Sequence, residues 1–342
     1  MVAAGVTGAL GVASSLGQDP TIDRLLKKLP PPETLVKPSV NRSLQKPDPI
    51  LKDPLVQAIG TQLTRGNAGG ALGSARALSA KYPKNASAHD LHGLVAYIAR
   101  QFPEATAALR RSVALQPNGS GAHLGLVIVE LSQKRAAAAL PHARRLTELE
   151  PNWAQGWILL SGCAEEAGQK QQSATAARRA TTLSPAMLAG WVQLARAENK
   201  LGHAQEAIRA LSKAAEIAPD NAALQATVGF GYINMNRSAE AVRPLSRAVR
   251  LAPKDYLIQA QLGWALFSAG QTDAAIEHLR KGAALRPSYG PAWQHLGMAY
   301  QKKGKHREAR EAFERAVRLM PTNQRARALL AQEQTVAPAG GR

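Results

Sequence analysis

The sequence carries a proline at a constant interval of 34 residues through most of its length. The series is Pro83, Pro117, Pro151, Pro185, Pro219, Pro253, Pro287 and Pro321, with no insertion between neighbouring members. Such an interval predicts an array of equal structural units rather than a set of unrelated domains. This period is typical of helix–turn–helix units, which bury their apolar faces only against their neighbours.

The composition favours helices as the content of each unit. Hydrophobic residues make up 45% of the chain, and aromatic residues only 4%. A core built from Ala and Leu lets helix backbones approach closely, whereas strands favour β-branched and aromatic residues. We therefore expect an all-α protein.

A repeat frame follows when each unit is numbered from 1 to 34 with its proline at position 32. Positions 8 and 20 of most units carry small residues, as at Gly297 and Ala309. A larger side chain at a helix crossing would overpack the contact, at a cost of about 1–3 kcal/mol. The two helices of a unit are therefore predicted to cross at these positions. The frame divides residues 52–323 into eight units: 52–85, 86–119, 120–153, 154–187, 188–221, 222–255, 256–289 and 290–323.

The last unit resembles a tetratricopeptide repeat (TPR). The residues that carry the resemblance are Trp293, Leu296, Gly297, Tyr300, Ala309, Phe313, Ala316 and Pro321. Two units depart from the family pattern, with His89 and His123 where an aromatic residue is usual and Glu130 in place of a tyrosine. The resemblance implies a right-handed superhelical α-solenoid of antiparallel helix pairs that serves as a binding scaffold. It also implies that first helices line a concave groove and second helices face outward.

The segments outside the repeats differ from the array in composition. Residues 1–51 are predicted to form an extended arm, because closely spaced prolines interrupt helices while apolar residues lie between them. Within the arm, residues 1–18 resemble the middle of a secretory signal but lack a preceding basic residue. Residues 324–334 are predicted to form a helix that caps the array, and residues 335–342 form a tail.

The resemblance places positions 2, 5, 6, 9, 12 and 13 of each first helix in the groove. Most of these residues are apolar, which predicts a slot for an extended or helical apolar peptide, with a few polar residues to orient its backbone. The alternative is that several of them contact neighbouring units instead. The predicted lining residues are Leu91, Leu94, Tyr97, Leu124, Ile128, Ile158, Leu159, Gln193, Arg196, Asn199, Phe230, Ile233, Trp264, Phe267, His295 and Met298.

Some members of the family capture a C-terminal carboxylate with Lys, Asn and Arg from three consecutive first helices. The corresponding residue types here, Arg196, Asn199 and Lys200, lie within one helix. That clamp is therefore not expected in this chain.

The chain is strongly basic, with a formal net charge of +19 at pH 7. Positions 25 and 26 of the second helices predict a basic ladder on the outer face. Its functional interpretation is recognition of a polyanion through contacts that salt weakens. We favour ordinary solvated surface instead, because aromatic residues do not interleave with the ladder. The ladder consists of Arg76, Arg110, Arg111, Arg144, Arg145, Arg178, Arg179, Lys213, Arg247, Arg280, Lys281 and Arg315.

No arrangement of side chains in the sequence indicates catalysis or cofactor binding. His89, His92 and His123 are the best metal candidates, but they occupy positions that pack in the family. The single cysteine, Cys163, lies near two glutamates, and carboxylates raise the pKa of a thiol rather than activate it. We therefore expect no enzyme activity, no cofactor and no metal site.

These observations predict a non-enzymatic protein–protein interaction scaffold that binds an apolar peptide or helix. One alternative is a self-assembling structural subunit whose arm, residues 1–50, docks on a neighbouring solenoid to form a filament or open assembly. Another is a component of a bacterial envelope secretion or polysaccharide-export machine. The expected partner is a protein or peptide, including another copy of the chain. A nucleic acid or anionic surface is less favoured, no membrane span is expected, and a bacterial exported or periplasmic location is favoured over the cytoplasm.

Overall fold

The computed structural model of the protein describes residues 48–335, so nearly all of the predicted arm and tail lie outside the described residues. A 3-10 helix, Pro49–Lys52, precedes 17 α-helices, and no strand occurs among the described residues, which confirms the all-α fold. The helices are α1 (Pro54–Thr64), α2 (Ala68–Lys81), α3 (Ala86–Ile98), α4 (Phe102–Leu115), α5 (Ser120–Ser132), α6 (Ala136–Leu149), α7 (Ala154–Glu166), α8 (Lys170–Leu183), α9 (Leu188–Leu201), α10 (Ala204–Ile217), α11 (Ala222–Asn234), α12 (Ser238–Leu251), α13 (Tyr256–Ser268), α14 (Thr272–Leu285), α15 (Gly290–Lys302), α16 (His306–Leu319) and α17 (Gln324–Thr335).

The described residues form two compact units. The N-terminal unit, residues 48–203, contains α1–α9, and the C-terminal unit, residues 204–335, contains α10–α17. In the N-terminal unit, α1–α2, α3–α4, α5–α6 and α7–α8 pack as hairpins, and each hairpin packs against the next. The pairs α11–α12, α13–α14 and α15–α16 do the same in the C-terminal unit. The division falls between the two helices of the predicted repeat 188–221.

The repeated proline sets where each second helix ends. Every second helix stops at position 30, two residues before the proline, as α16 stops at Leu319 before Pro321. Proline disfavours the helical conformation in the residue before it, which explains this offset. Two residues after the proline, a side-chain oxygen caps the start of the next helix at four places: Asn85, Asn221, Asp255 and Asn323.

Position 8 is small where position 24 is large. A Cβ atom added to Gly229 would lie closer than 3 Å to the side chain of Leu245. The hairpin 120–153 reverses the sizes, with Val127 at position 8 and Ala143 at position 24, both fully buried. The contact that limits position 8 therefore involves position 24 as well as position 20, which corrects the explanation drawn from the sequence. The same pairing of glycine with a large residue occurs at Gly93 with Leu109, Gly263 with Leu279 and Gly297 with Phe313.

Position 4 supplies an N–H donor to the carbonyl oxygen of the preceding repeat's proline. Every hairpin from 86–119 onward makes this bond, with donor–acceptor distances of 2.7–3.3 Å. The first hairpin carries Leu55 at this position, and the leucine side chain has no N–H group to donate. Tryptophan, histidine and glutamine are equivalent here because each presents an N–H group to a carbonyl that the ended helix leaves without a partner. The donors are His89, His123, Trp157, Trp191, Gln225, Gln259 and Trp293.

Buried carboxylates fix both ends of the described chain. Asp53, at the start of α1, accepts from Lys81 Nζ at 2.7 Å and from the Tyr82 hydroxyl at 2.9 Å. At the other end, α17 packs on α15 and α16, and the fully buried Glu333 pairs with His306 Nδ1 at 3.0 Å. The helix α17 therefore covers the end of the C-terminal unit. Between residues 48 and 335, no helix combines the length and the apolar character needed to cross a bilayer.

Candidate functional site

The predicted lining residues of the N-terminal unit mostly pack against one another. Leu124 and Ile128 of α5 form a buried cluster with Leu146 of α6, and Tyr97 and Leu159 pack against it. These side chains thus form the packing contacts between neighbouring hairpins. The expectation of an open apolar slot is corrected where the side chains are buried, at Leu124, Ile128 and Ile158, while Leu91 and Leu94 are half-buried.

The predicted polar lining residues of the N-terminal unit are already bonded. Gln193 of α9 is buried and donates from Nε2 to Glu165 Oε2 of α7 at 2.8 Å. Arg196 Nη2 lies 3.2 Å from Glu165 Oε1, and that carboxylate is only 7% exposed. Both side chains therefore form contacts between α9 and α7 and are not available to bind a peptide backbone. This corrects their predicted role. Asn199 is exposed.

The predicted lining residues of the C-terminal unit form a cluster of partly exposed rings. Trp264 of α13 stacks on His295 of α15, with ring centroids 4.2 Å apart, and on Phe267, with centroids 5.7 Å apart. None of the three rings is fully buried. Part of each of the three side chains is therefore accessible to a ligand. We call the following residues the aromatic surface, all of them half-buried: Phe230, Ile233, Trp264, Phe267, His295 and Met298.

The imidazole of His295 is neutral at pH 7. Burial, together with the positive charge of Arg325, lowers the pKa of His295 to about 4. A neutral imidazole stacks on the Trp264 ring as an aromatic side chain without carrying a charge into the cluster. The rings thus present an uncharged surface.

Charge is divided between the helices of the C-terminal unit. The first helices α11, α13 and α15 contain no aspartate or glutamate. Lys302, at the end of α15, places its Nζ atom 5.3 Å from the centroid of the Phe267 ring. Asp255 caps the start of α13. The other carboxylates of these three hairpins lie on the second helices, at Glu240, Asp273, Glu277, Glu308, Glu311 and Glu314.

The predicted basic ladder acts as a set of contacts between hairpins at position 25 of the N-terminal unit. Arg76 forms two hydrogen bonds of 2.7 Å to Glu104 of the next hairpin. Arg178 lies 2.6 Å from Glu198, whose side chain is 1% exposed. The other two members of this column also reach the next hairpin: Arg110 to Glu130, and Arg144 to Gln169 and Gln172.

The remaining members of the ladder have mixed surroundings. Arg145 contacts Glu148 and Asn118, and Lys213 and Lys281 pair with glutamates of their own helices. The guanidinium of Arg315 lies 4.5 Å from the centroid of the Trp293 ring. Arg111, Arg179 and Arg280 are exposed, and Arg247 is half-buried.

Two repeats, 120–153 and 188–221, carry a glutamate at position 11. Glu130 and Glu198 replace a large apolar residue, yet both are buried. Glu130 pairs with Arg135 at 2.7 Å, and Glu198 pairs with Arg178 and with His203 Nδ1. A buried carboxylate requires such partners.

The three histidines considered for metal binding take part in packing contacts. His89 and His123 are position 4 donors to proline carbonyls. His92 bonds Ser79 Oγ at 3.0 Å and Glu104 Oε1 at 2.8 Å. In residues 48–335, no group of three or more ligating side chains lies close enough to hold a metal ion. Burial raises the pKa of the Cys163 thiol to about 12, so burial rather than the nearby glutamates keeps it protonated.

The stacked hairpins define the class of the protein as an α-solenoid of helical repeats. Three family models, each described as a tetratricopeptide repeat, match residues 91–156, 187–296 and 266–333, which together make up more than half of the chain. The chain belongs to the tetratricopeptide repeat family. Members of this family are in general scaffolds for protein interactions rather than enzymes.

Solved structures of repeat proteins share the fold. The C-terminal part of a TPR repeat-containing protein from Cytophaga hutchinsonii is 14% identical, with a TM-score of 0.53, and the match covers 70% of this chain and 99% of that one. YrrB, described as a TPR protein with an unusual peptide-binding site, is 19% identical over 54% of this chain and 96% of that one, with a TM-score of 0.49. MamA from Desulfovibrio magneticus RS-1 is 22% identical over 50% and 97%, with a TM-score of 0.43. A search of curated protein sequences gave no match.

Proposed function

We propose that the protein is a non-enzymatic scaffold that binds an apolar peptide segment on the aromatic surface of its C-terminal unit. The observation that carries the proposal is the stack of Trp264 with His295 and Phe267, whose rings remain partly exposed. Rigid aromatic side chains supply large contact areas at low entropic cost, and they dominate the energetics of many interfaces. Phe230 and Ile233 of α11 extend the same apolar surface to a third first helix.

The self-assembly alternative receives less support from charge. Residues 1–47 contain six basic and three acidic residues, and the C-terminal unit contains 19 basic and 11 acidic residues. Both therefore carry a net positive charge, which opposes docking of the arm on this unit in the same or a neighbouring chain. A partner without this excess of positive charge fits better.

Selection from a random peptide library tests the proposal. The full-length chain is immobilised and panned against phage that display random 12-residue peptides, in parallel with the double variant Trp264→Ala/Phe267→Ala. A second double variant, Tyr97→Ala/Leu159→Ala, removes half-buried lining residues of the N-terminal unit and serves as the matched control. Circular dichroism checks that all three proteins are helical.

We expect the wild-type protein and the control variant to enrich the same peptides. The Trp264→Ala/Phe267→Ala variant should bind these peptides at least about tenfold more weakly, since loss of an interface aromatic commonly costs more than 1.4 kcal/mol. The proposal is wrong if no peptide is enriched, or if the control variant loses binding while the Trp264→Ala/Phe267→Ala variant retains it.

A further inference from the structure

We infer that the segment bound by the aromatic surface is acidic: its apolar side chains pack on the rings of Trp264 and Phe267, and an adjacent carboxylate pairs with Lys302 and Arg325. This inference rests on the proposed function and adds the chemical class of the partner. It differs from a clamp built on three consecutive first helices, because its two cations come from α15 and the capping helix α17.

Lys302 lies beside a ring of the aromatic surface, and Arg325 acts on the same cluster through its charge. The ammonium group of Lys302 sits over the Phe267 ring, 5.3 Å from its centroid. Arg325 is exposed and close enough to His295 for its charge to lower the pKa of that imidazole. An ammonium held above a ring keeps part of its charge directed outward, and a guanidinium can bind a carboxylate through two parallel hydrogen bonds. A carboxylate next to the rings would therefore meet two positive groups.

No negative charge on the first helices opposes a ligand carboxylate. The helices α11, α13 and α15 contain no aspartate or glutamate, whereas α12, α14 and α16 contain several. The carboxylate of the capping helix, Glu333, is fully buried and paired with His306. The first helices thus present positive charge, and the carboxylates lie on the other helices. This arrangement selects against basic ligands, because bringing like charges together costs free energy.

A single-stranded nucleic acid would also be drawn to rings and cations, but the surface suits it less well. The Trp264 and His295 rings already stack on each other at 4.2 Å, which leaves no gap for an intercalated base. Nucleic-acid grooves follow the backbone with a series of cations, whereas the cations that act on these rings in the described residues are Lys302 and Arg325, which do not form a series. We therefore assign the surface to an acidic peptide, and nucleic acid becomes an outcome of the test.

Three labelled 12-residue peptides serve as probes for the test. They share the apolar core Phe-Pro-Leu-Phe and carry Glu, Gln or Lys at every flanking position. Binding to the full-length protein is measured by fluorescence anisotropy at two salt concentrations, and a 12-residue thymidine oligonucleotide is measured in parallel. The test variant is Lys302→Glu/Arg325→Glu. The control is Lys254→Glu/Arg318→Glu, which changes the net charge equally at exposed residues of the same unit.

We expect the Glu peptide to bind at least about tenfold more tightly than the Gln peptide at low salt, and the Lys peptide to bind most weakly. The test variant should reverse this order, and the control should keep it. Equal binding of the three peptides overturns the inference, as does absence of binding, an equal effect of the control variant, or tighter binding of the oligonucleotide than of the Glu peptide.

The outcomes separate this inference from the proposed function. If the library yields peptides that need Trp264 but show no excess of acidic residues, the binding site stands and the assignment of an acidic partner fails. If the library yields nothing, the proposed function fails. The acidic content of the enriched peptides is therefore counted against that of the starting library.

Discussion

The first helices of the two units carry lining residues at the same repeat positions but use them differently. In the N-terminal unit, aliphatic side chains such as Leu124 and Ile128 pack together and are buried. Gln193 and Arg196 are bonded to Glu165. In the C-terminal unit, Trp264 and Phe267 stack on each other and remain partly exposed. A position in the repeat therefore does not determine whether a residue is available to a ligand. Side-chain shape and the neighbouring hairpin decide that.

The comparison also separates two uses of charge. The N-terminal unit places carboxylates on its first helices, at Asp90, Glu130, Glu165, Glu166 and Glu198. Arginines lie beside Glu130, Glu165 and Glu198, and burial raises the pKa of Asp90. The first helices of the hairpins in the C-terminal unit carry none. Charged side chains thus link neighbouring hairpins in the N-terminal unit, whereas the first helices α11, α13 and α15 of the C-terminal unit carry no acidic residue.

Truncating the buried lining residues should produce the largest change in stability. We expect Leu124→Ala or Ile128→Ala to lower the free energy of unfolding by about 2–4 kcal/mol, because each leaves a cavity in a packed cluster. The half-buried Phe267→Ala should cost less, while it weakens peptide binding. Urea denaturation followed by circular dichroism measures the difference. Equal losses at Leu124 and Phe267 would contradict the contrast between the units.

Overpacking at position 8 should lower the free energy of unfolding by almost as much. Gly229→Val is expected to destabilise the C-terminal unit by about 3 kcal/mol, because the new side chain overlaps Leu245. Adding Leu245→Ala recreates the Val127–Ala143 pair of the N-terminal unit and should recover about 1–2 kcal/mol relative to the sum of the single effects. Additive effects in this double-mutant cycle would show that the two positions do not determine each other's size.

Acidification should act on the two units in opposite senses through His295 and Asp90. Burial lowers the pKa of His295 from 6.5 to about 4, so the unfolded chain binds a proton that the folded chain refuses, and stability falls as the pH drops through this window. Burial raises the pKa of Asp90 from 3.8 to about 6, so the folded chain holds a proton that the unfolded chain releases, and stability falls as the pH rises from 3.8 to 6.

Urea midpoints at pH 7 and pH 5 test this opposition. Compared with the wild type, His295→Gln should lose less stability on acidification, and Asp90→Asn should lose more. We expect each difference to be about 1 kcal/mol, after allowance for partial solvent exposure. Parallel pH responses of the wild type and both variants would refute the assignment of the two protonation states.

Exchanging position 4 donors between the units should have the smallest effect on stability. His123→Gln keeps an N–H donor to the Pro117 carbonyl, as Gln259 does for Pro253, and should change stability by less than about 0.5 kcal/mol. His123→Phe removes the donor and should cost about 1–2 kcal/mol. Thermal denaturation of both variants checks this. If Phe were tolerated as well as Gln, ring packing rather than the hydrogen bond would define the position.

The sequence predicted the helical hairpins well because the repeated prolines and the asparagine caps act locally. Each second helix ends two residues before its proline, and Asn85 caps α3 two residues after Pro83. The donor role of position 4 was missed because His89 and His123 were compared with tryptophan by ring type rather than by their N–H groups. The role of position 24 in limiting the size of position 8 was also missed. The side chain of Leu245 restricts Gly229 only because the folded hairpin places the two residues side by side.

The candidate site was predicted in part. Repeat position alone selected Trp264, Phe267 and His295, whose stacking the structure reveals, but it selected Leu124 and Ile128 equally. Burial depends on how neighbouring hairpins interlock, and this is a tertiary property that single positions do not encode. The division of the chain between residues 203 and 204 leaves the 34-residue interval unchanged, so the prolines gave no sign of it.

Hydrogen exchange of the full-length protein, with and without a peptide selected from the library, tests the central claim most directly. Bound peptide should slow amide exchange in α13 and α15, which carry the stacked rings, and leave exchange in α3 and α5 unchanged. Protection confined to α3 and α5, or absent from both regions despite saturating peptide, would contradict the assignment of the binding site to the aromatic surface.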